Sequence, residues 1–149
     1  FIGIHFFSPV ERMGLVEIIS GEKTSEATLA KAVDYVLAIR KTPIAVNDSR
    51  GFYTSRCFGT YTREGMEMLA EGIKPAIIEN VGRQSGMPMG PLEVSDSVGL
   101  DTALKVTRAT AEAAGIDLQT DDRTQFLAWL VEDQERVGRK AGKGFYDYE

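Results

Sequence analysis

The stretch Phe1-Ile2-Gly3-Ile4-His5-Phe6-Phe7-Ser8-Pro9, followed by Leu15-Val16-Glu17-Ile18-Ile19, decides how the rest of the chain is read. Both runs are short and rich in Ile, Val and Phe, the pattern of buried strands. Each carries one titratable residue, His5 in the first and Glu17 in the second. An ionised carboxylate inside an apolar strand is costly unless it is paired and hydrogen-bonded. Glu17 therefore needs a partner, and the one histidine of the protein stands twelve positions before it. That separation suits a strand, a turn at Ser8-Pro9 and a return towards the first strand. A histidine held by a glutamate is a general acid–base unit, because the carboxylate fixes the imidazole tautomer and stabilises the imidazolium. The same spacing also fits a core histidine beside an unrelated glutamate at a strand end.

Outward from this stretch, Thr24 or Ser25 can cap a helix running to about Arg40, with Leu29, Val33, Val36 and Leu37 as its apolar stripe. Pro43 breaks that helix, and Ile44-Ala45-Val46 reads as a short strand. Strand, strand, helix, strand suits the closing edge of an α/β sheet whose earlier strands precede Phe1. The expectation is a piece of a longer protein, since an apolar strand at the first residue needs sheet neighbours. Asn47-Asp48-Ser49-Arg50-Gly51 is a turn cluster and the candidate boundary, dividing the chain into 1–48 and 49–149.

Beyond it the pattern is helical. A helix from about Phe52 to Glu71 offers Phe58, Tyr61, Met66 and Leu69 to a partner surface, and Gly72 fits its C-terminal cap. Pro75 suits the first turn of the next helix, with Ile77, Ile78 and Val81 on one side. Gly86-Met87-Pro88-Met89-Gly90-Pro91 forces a loop, lining an apolar ligand channel or simply connecting helices. Helices to about Asp96 and from Asp101 to Gly115 follow. Asp121-Asp122 opens a last one burying Phe126, Leu127, Leu130 and Val131. Phe145-Tyr146-Asp147-Tyr148 reads as an aromatic strand that tucks back onto the core. The expected fold is a mainly α helical bundle domain, preceded by the last strands and a helix of an α/β dinucleotide-binding, Rossmann-type domain.

Composition removes several function classes. A chain of 149 residues, 43% hydrophobic and 26% charged, suits a globular unit with room for a small piece of another. A net charge of −5, without an arginine stripe interleaved with aromatics, argues against nucleic acid. One cysteine, Cys57, allows no internal disulfide and reads as core packing, and one His with one Cys builds no usual zinc site. No apolar run approaches the roughly 20 residues of a membrane span.

His-Phe-Phe-Ser-Pro-Val at 5–10 and Leu-Val-Glu-Ile-Ile at 15–19 resemble the signature of 3-hydroxyacyl-CoA dehydrogenases. The likeness continues through Gly51-Phe52-Tyr53-Thr54-Ser55-Arg56, Gly86-Met87-Pro88-Met89-Gly90-Pro91 and Gly138-Arg139-Lys140-Ala141-Gly142-Lys143-Gly144-Phe145-Tyr146, in the family's order from end to end. The resemblance implies reversible oxidation of a 3-hydroxyacyl-CoA to the 3-ketoacyl-CoA with NAD, as in fatty-acid β-oxidation. His5 takes the place of the catalytic histidine and Glu17 that of its orienting glutamate. Ser8 and Ser55 match positions that are asparagine in many single-function members, where the side chain binds the substrate oxygen and helps place the nicotinamide. Serine at position 8 looks like the multifunctional members fused to an enoyl-CoA hydratase. For Ser55 the residues alone fit a helix hydroxyl bonding its own backbone equally well.

Lys140 matches a family lysine near the cofactor, which assigns Ser8 and Lys140 to the cofactor side. By residue type alone, Arg136, Arg139, Lys140 and Lys143 fit either a phosphate-facing run or a solvated charged loop. No Gly-x-Gly-x-x-Gly loop occurs in the chain, so the main NAD loop is expected upstream. Also implied are an acyl-CoA substrate and a homodimer through the helical domain. The compartment would be cytoplasmic in a bacterium, otherwise mitochondrial or peroxisomal. Two rivals use the same residues: a cofactor-free acid–base isomerase, and a non-catalytic helical interaction module in which His5 and Glu17 only pack.

Overall fold

The structure, a computed structural model, describes residues 1–118 and 121–149. It contains a three-stranded sheet and six α-helices among the described residues. The chain divides into two compact units, Phe1–Gly59 and Thr60–Glu149.

In the first unit, β1 (Gly3–Phe6) pairs antiparallel with β2 (Leu15–Ser20), and β2 pairs parallel with β3 (Thr42–Asn47) after the crossover helix α1 (Glu26–Ala38). The order β1-β2-β3 puts β2 in the centre, and only β2 is deeply buried. The expectation of two buried strands is therefore corrected: β1 is half-buried throughout, and among the described residues it pairs with β2 on one side only. Pro43 lies inside β3, a strand paired only to β2 among the described residues, where a missing N–H is tolerated. Ser25 caps α1 by accepting a hydrogen bond from the Thr28 N–H.

Side-chain alternation splits this sheet into two faces. Val16 and Ile18 pack against Ala32 and Val36 of α1, joined by Ile2, Ile4, Phe6, Leu29 and Val33. Burying each large side chain of that cluster contributes about 1.5–3 kcal/mol. His5 and Glu17 therefore fall on the opposite face, directly across from each other in the β1–β2 register. Leu37, expected in the α1 stripe, is 54% exposed; Ala32 fills the buried position instead. Small residues can take the face that packs most closely, which hydrophobicity alone does not indicate.

The second helix, α2 (Thr54–Ala70), begins in the first unit and ends in the second. The first unit extends past Asp48 because Phe52, Tyr53 and Thr54 bind the sheet residues described below. Helices α3 (Pro75–Gln84), α4 (Pro91–Val98), α5 (Leu100–Ala114) and α6 (Asp122–Ala128) follow, and Trp129–Asp133 continues α6 as a π-helical turn. Pro75 and Pro91 both sit in first helical turns, and Asp121 caps α6 through the Thr124 N–H. Gly65 is buried on α2, where a Cβ would lie 2.5 Å from Pro91, so its lack of a side chain lets the start of α4 approach. Leu100, Leu104, Leu127 and Leu130 form the core, with Phe145 packed on it.

Three expected core positions are exposed: Ile77, Val81 and Phe126. On α3 Ile78 is buried as expected, but beside Glu79 and Gly82 rather than Ile77 and Val81. Cys57, expected in the core, is exposed as well. The C-terminal aromatic segment does return to the core, but through isolated bridges, Gly138 to Lys143 and Lys143 to Asp147, rather than as a strand.

Candidate active site

The β1–β2 pairing alone brings the two titratable residues together. His5 Nδ1 lies 2.7 Å from Glu17 Oε2. The glutamate is wholly buried, while the histidine side chain is 36% exposed. An ionised carboxylate only accepts hydrogen bonds, so Nδ1 carries the proton and Nε2 is left open for chemistry. The other carboxylate oxygen, Oε1, accepts two backbone N–H groups, from Tyr53 at 3.1 Å and Thr54 at 2.8 Å. These belong to the start of α2, where helix amides have no intrahelical acceptor. The helix start and the buried carboxylate thus satisfy each other.

Burial alone would push the Glu17 carboxyl up. The Thr54 N–H, the His5 ring and the Tyr53 N–H outweigh it and hold the group below its ordinary value. The consequence for stability has a definite sign. A carboxyl with a depressed folded value stabilises the protein at pH above the unfolded value, and that contribution is lost as pH falls through the folded value. Urea midpoints are therefore expected to drop as the pH falls below about 4.5, the ordinary glutamate value. Glu17→Gln should flatten this acid limb. An unchanged acid limb in Glu17→Gln would mean that Glu17 is not the group responsible.

Two aromatic rings flank the imidazole: Phe7 at 4.7 Å between centroids, tilted by 52°, and Phe52 at 5.7 Å, tilted by 53°. Ser8 lies exposed in the turn after β1, three residues beyond His5. Ser55 lies exposed in the first turn of α2, next to Thr54. Both serines belong to the unit that holds the dyad.

Lys140 lies in the other unit, in the 3₁₀ turn Arg139–Ala141. Its ammonium donates to both carboxylate oxygens of Asp101, at 2.8 and 2.9 Å. Arg139 sits 5.1 Å over the Tyr148 ring, and Arg136 donates to the Gly144 carbonyl and to Asp147. Arg136 and Arg139 are thus engaged within their own segment, and Lys140 by Asp101 of α5. Tyr61 donates to the Met89 carbonyl at 2.7 Å, which ties the Met87-Pro88-Met89 connector to α2.

Two acidic residues escaped the sequence reading. Asp96 is fully buried and accepts the Phe145 and Tyr146 N–H groups at 2.7 and 3.0 Å and the Tyr148 hydroxyl at 2.8 Å. Glu79 accepts the Glu93 N–H and the Tyr146 hydroxyl, each at 2.8 Å. Burial, reinforced by these carboxylates, pushes both tyrosine hydroxyls far above their ordinary value, so they remain donors. For Glu79 the available signal was a lone acid beside apolar residues, Ile77-Ile78-Glu79; Asp96, which shares its helix with Glu93 and is flanked by serines, carried no such signal. No group of residues that could hold a metal ion occurs among the described residues, and no described helix is long and apolar enough to cross a membrane.

Residues 1–49 match the family described as "3-hydroxyacyl-CoA dehydrogenase, NAD binding domain". Residues 51–148 match "3-hydroxyacyl-CoA dehydrogenase, C-terminal domain". Fatty acid oxidation complex subunit alpha of Idiomarina loihiensis is 45% identical over 99% of this chain, and that of Shewanella halifaxensis 40% identical over 99%. In each case the chain covers 20% of the relative's length. Among solved structures, the (S)-3-hydroxybutyryl-CoA dehydrogenase of Ralstonia eutropha matches with a TM-score of 0.85 and 34% identity, over 100% of this chain and 52% of that one. The 3-hydroxybutyryl-CoA dehydrogenase of Escherichia coli K12 matches with a TM-score of 0.83 and 30% identity, over 99% of this chain and 31% of that one. With matches to both halves of the family and a sheet and helices of the same fold, this chain belongs to the 3-hydroxyacyl-CoA dehydrogenase family.

Proposed function

We propose that this chain carries the acid–base dyad and the helical domain of an NAD-dependent 3-hydroxyacyl-CoA dehydrogenase acting in fatty-acid β-oxidation. The observation that carries this reading is the 2.7 Å bond between His5 Nδ1 and Glu17 in a chain of this family. Nε2 of His5 accepts the proton of the 3-hydroxyl group, and Glu17 stabilises the imidazolium that results. In reverse, imidazolium His5 polarises the 3-ketone and returns the proton. Bound NAD supplies the hydride acceptor. Ser8 and Ser55 donate hydrogen bonds to the substrate oxygen, and Ser8 also borders the nicotinamide. Lys140 is assigned to the cofactor side by resemblance alone, and its ammonium is already bound by Asp101.

Residues 1–48 form the end of the NAD-binding domain in this reading, and 49–149 the domain for substrate and dimerisation. The chain contains no glycine-rich pyrophosphate loop, so that loop belongs to residues outside it. Exposed Val106, Ile116, Phe126 and Trp129 on the helical unit support a homodimer. The bacterial relatives support a cytoplasmic setting.

The test is NADH consumption with acetoacetyl-CoA, for the 149 residues and for a chain extended upstream by the dinucleotide loop. Turnover is expected only in the extended chain. Conversion of an acyl-CoA with no nicotinamide present, followed by chromatography of the product, would favour a cofactor-free isomerase. A folded extended chain inactive on several acyl-CoA substrates would favour an interaction module.

A further inference from the structure

The backbone at Phe52 is unusual. Its φ is +46°, directly after Gly51 at +78°. Bulky residues rarely adopt this left-handed region, and glycine is the ordinary occupant. Two other non-glycine residues share it, Arg40 (φ 59°) and Glu135 (φ 53°). Both follow helical segments, where a left-handed residue commonly ends a helix, and both side chains are exposed. Phe52 instead precedes a helix, is half-buried, and rests its ring against His5. Its left-handed turn leads straight into the Tyr53 and Thr54 N–H groups that grip Glu17. Phe52 therefore contacts His5 through its ring and directly precedes the two residues, Tyr53 and Thr54, whose amides bind Glu17. Strain held at such a place points to a role for the side chain that glycine could not fill.

We infer that Phe52 is a positioning residue for the dyad: its ring, held over β1 by the strained turn, fixes the plane of the His5 imidazole so that Nδ1 stays on Glu17 and Nε2 stays aimed outward. Phe7 supports the ring from its second contact, at 4.7 Å. The inference rests on the dehydrogenase reading for its catalytic consequence, but the geometric part can be read without turnover. Tilted ring pairs at these separations attract specifically, beyond the area they bury. Loss of the Phe52 ring frees the imidazole to rotate about χ2 and sample orientations that break the Glu17 bond.

His5 is the one histidine in the chain, so its ring nitrogens give a single set of signals in a ¹⁵N NMR spectrum. At alkaline pH the wild type should show the Nδ1–H tautomer. Phe52→Gly keeps the left-handed turn at no steric cost while removing the ring, and it should shift the signals towards the tautomer mixture of a free imidazole. Phe52→Leu keeps apolar bulk without the ring and supplies the same comparison if glycine unfolds the turn. Phe52→Tyr restores the ring and should recover the wild-type pattern. In the extended enzyme, Phe52→Gly should lower kcat about tenfold with KM changed less than about twofold, the mark of lost orientation rather than lost binding.

A Nδ1–H pattern unchanged in folded Phe52→Gly and Phe52→Leu overturns the positioning role. A wild type without the Nδ1–H form overturns it together with the dyad. Ring-dependent signals in a protein whose extended form turns over no acyl-CoA uphold Phe52 as the residue that holds His5, and reject the dehydrogenase reading alone.

Discussion

His5→Gln is expected to lower turnover of acetoacetyl-CoA by roughly 10²–10⁴-fold in the chain extended by its dinucleotide loop, the usual contribution of one general acid–base group. The loss should fall on kcat, because the proton moves in the transition state and the imidazole contributes little to ground-state binding. Glutamine keeps the size and polarity of the side chain but neither accepts nor releases the proton. The glutamine amide can still donate to the buried Glu17 carboxylate and β1 is half-buried, so urea midpoints should fall far less than turnover does. Steady-state rates with NADH, measured beside an unfolding curve, separate the two effects. Turnover within threefold of wild type would remove His5 from the chemistry and leave the 2.7 Å pair as a packing feature.

The largest stability effect is expected far along the chain from that site, at Asp96. Its carboxylate is fully buried and binds three donors from the C-terminal segment. Asp96→Ala leaves the part-buried Phe145 and Tyr146 N–H groups and the Tyr148 hydroxyl with no acceptor. Leaving buried donors unpaired costs about 1–3 kcal/mol apiece, and partial relaxation should bring the total to about 3–5 kcal/mol. Phe145 packs on the Leu100 and Leu127 cluster, so losing the segment also uncovers that core. Urea unfolding followed by far-UV circular dichroism and by the fluorescence of Trp129 reads the change. A loss under about 1 kcal/mol would mean that the tail is held by its apolar contacts alone. Gly144→Ala probes the same clamp from the other side, since a Cβ there would lie 2.1 Å from the Asp96 carboxylate.

The two sites differ in how much of them the amino acids announce. His5 and Glu17 are legible because they sit on neighbouring strands joined by a short turn. Strict side-chain alternation then places both on the face away from α1. Helix starts and stops are legible for a similar reason. Ser25 and Asp121 each accept an N–H of the first turn, Pro75 brings no N–H that needs a partner, and Gly115 takes the left-handed conformation that ends a helix. Such local constraints need no knowledge of distant neighbours.

Which face of a helix is buried was less legible. Leu37, Val81 and Phe126 are as apolar as their buried neighbours, yet Ala32, Glu79 and Gly82 lie inside instead. Close packing selects by shape and by the partner's contour, and composition carries neither.

What the sequence alone determines here is the division into a strand-rich first part and a helical second part, the need of Glu17 for a partner with His5 as the candidate, and the family those residues resemble. Only the tertiary structure decides how that pair is held. The two groups that grip Glu17 are backbone amides 36 and 37 residues away, and every residue type except proline carries one. It likewise decides that Lys140 is bound by Asp101, 39 residues distant, and that Asp96 anchors a segment beginning 49 residues on. Hydrogen-bond partners at such separations are chosen by the packing of whole elements, so they come into being only when the chain has folded.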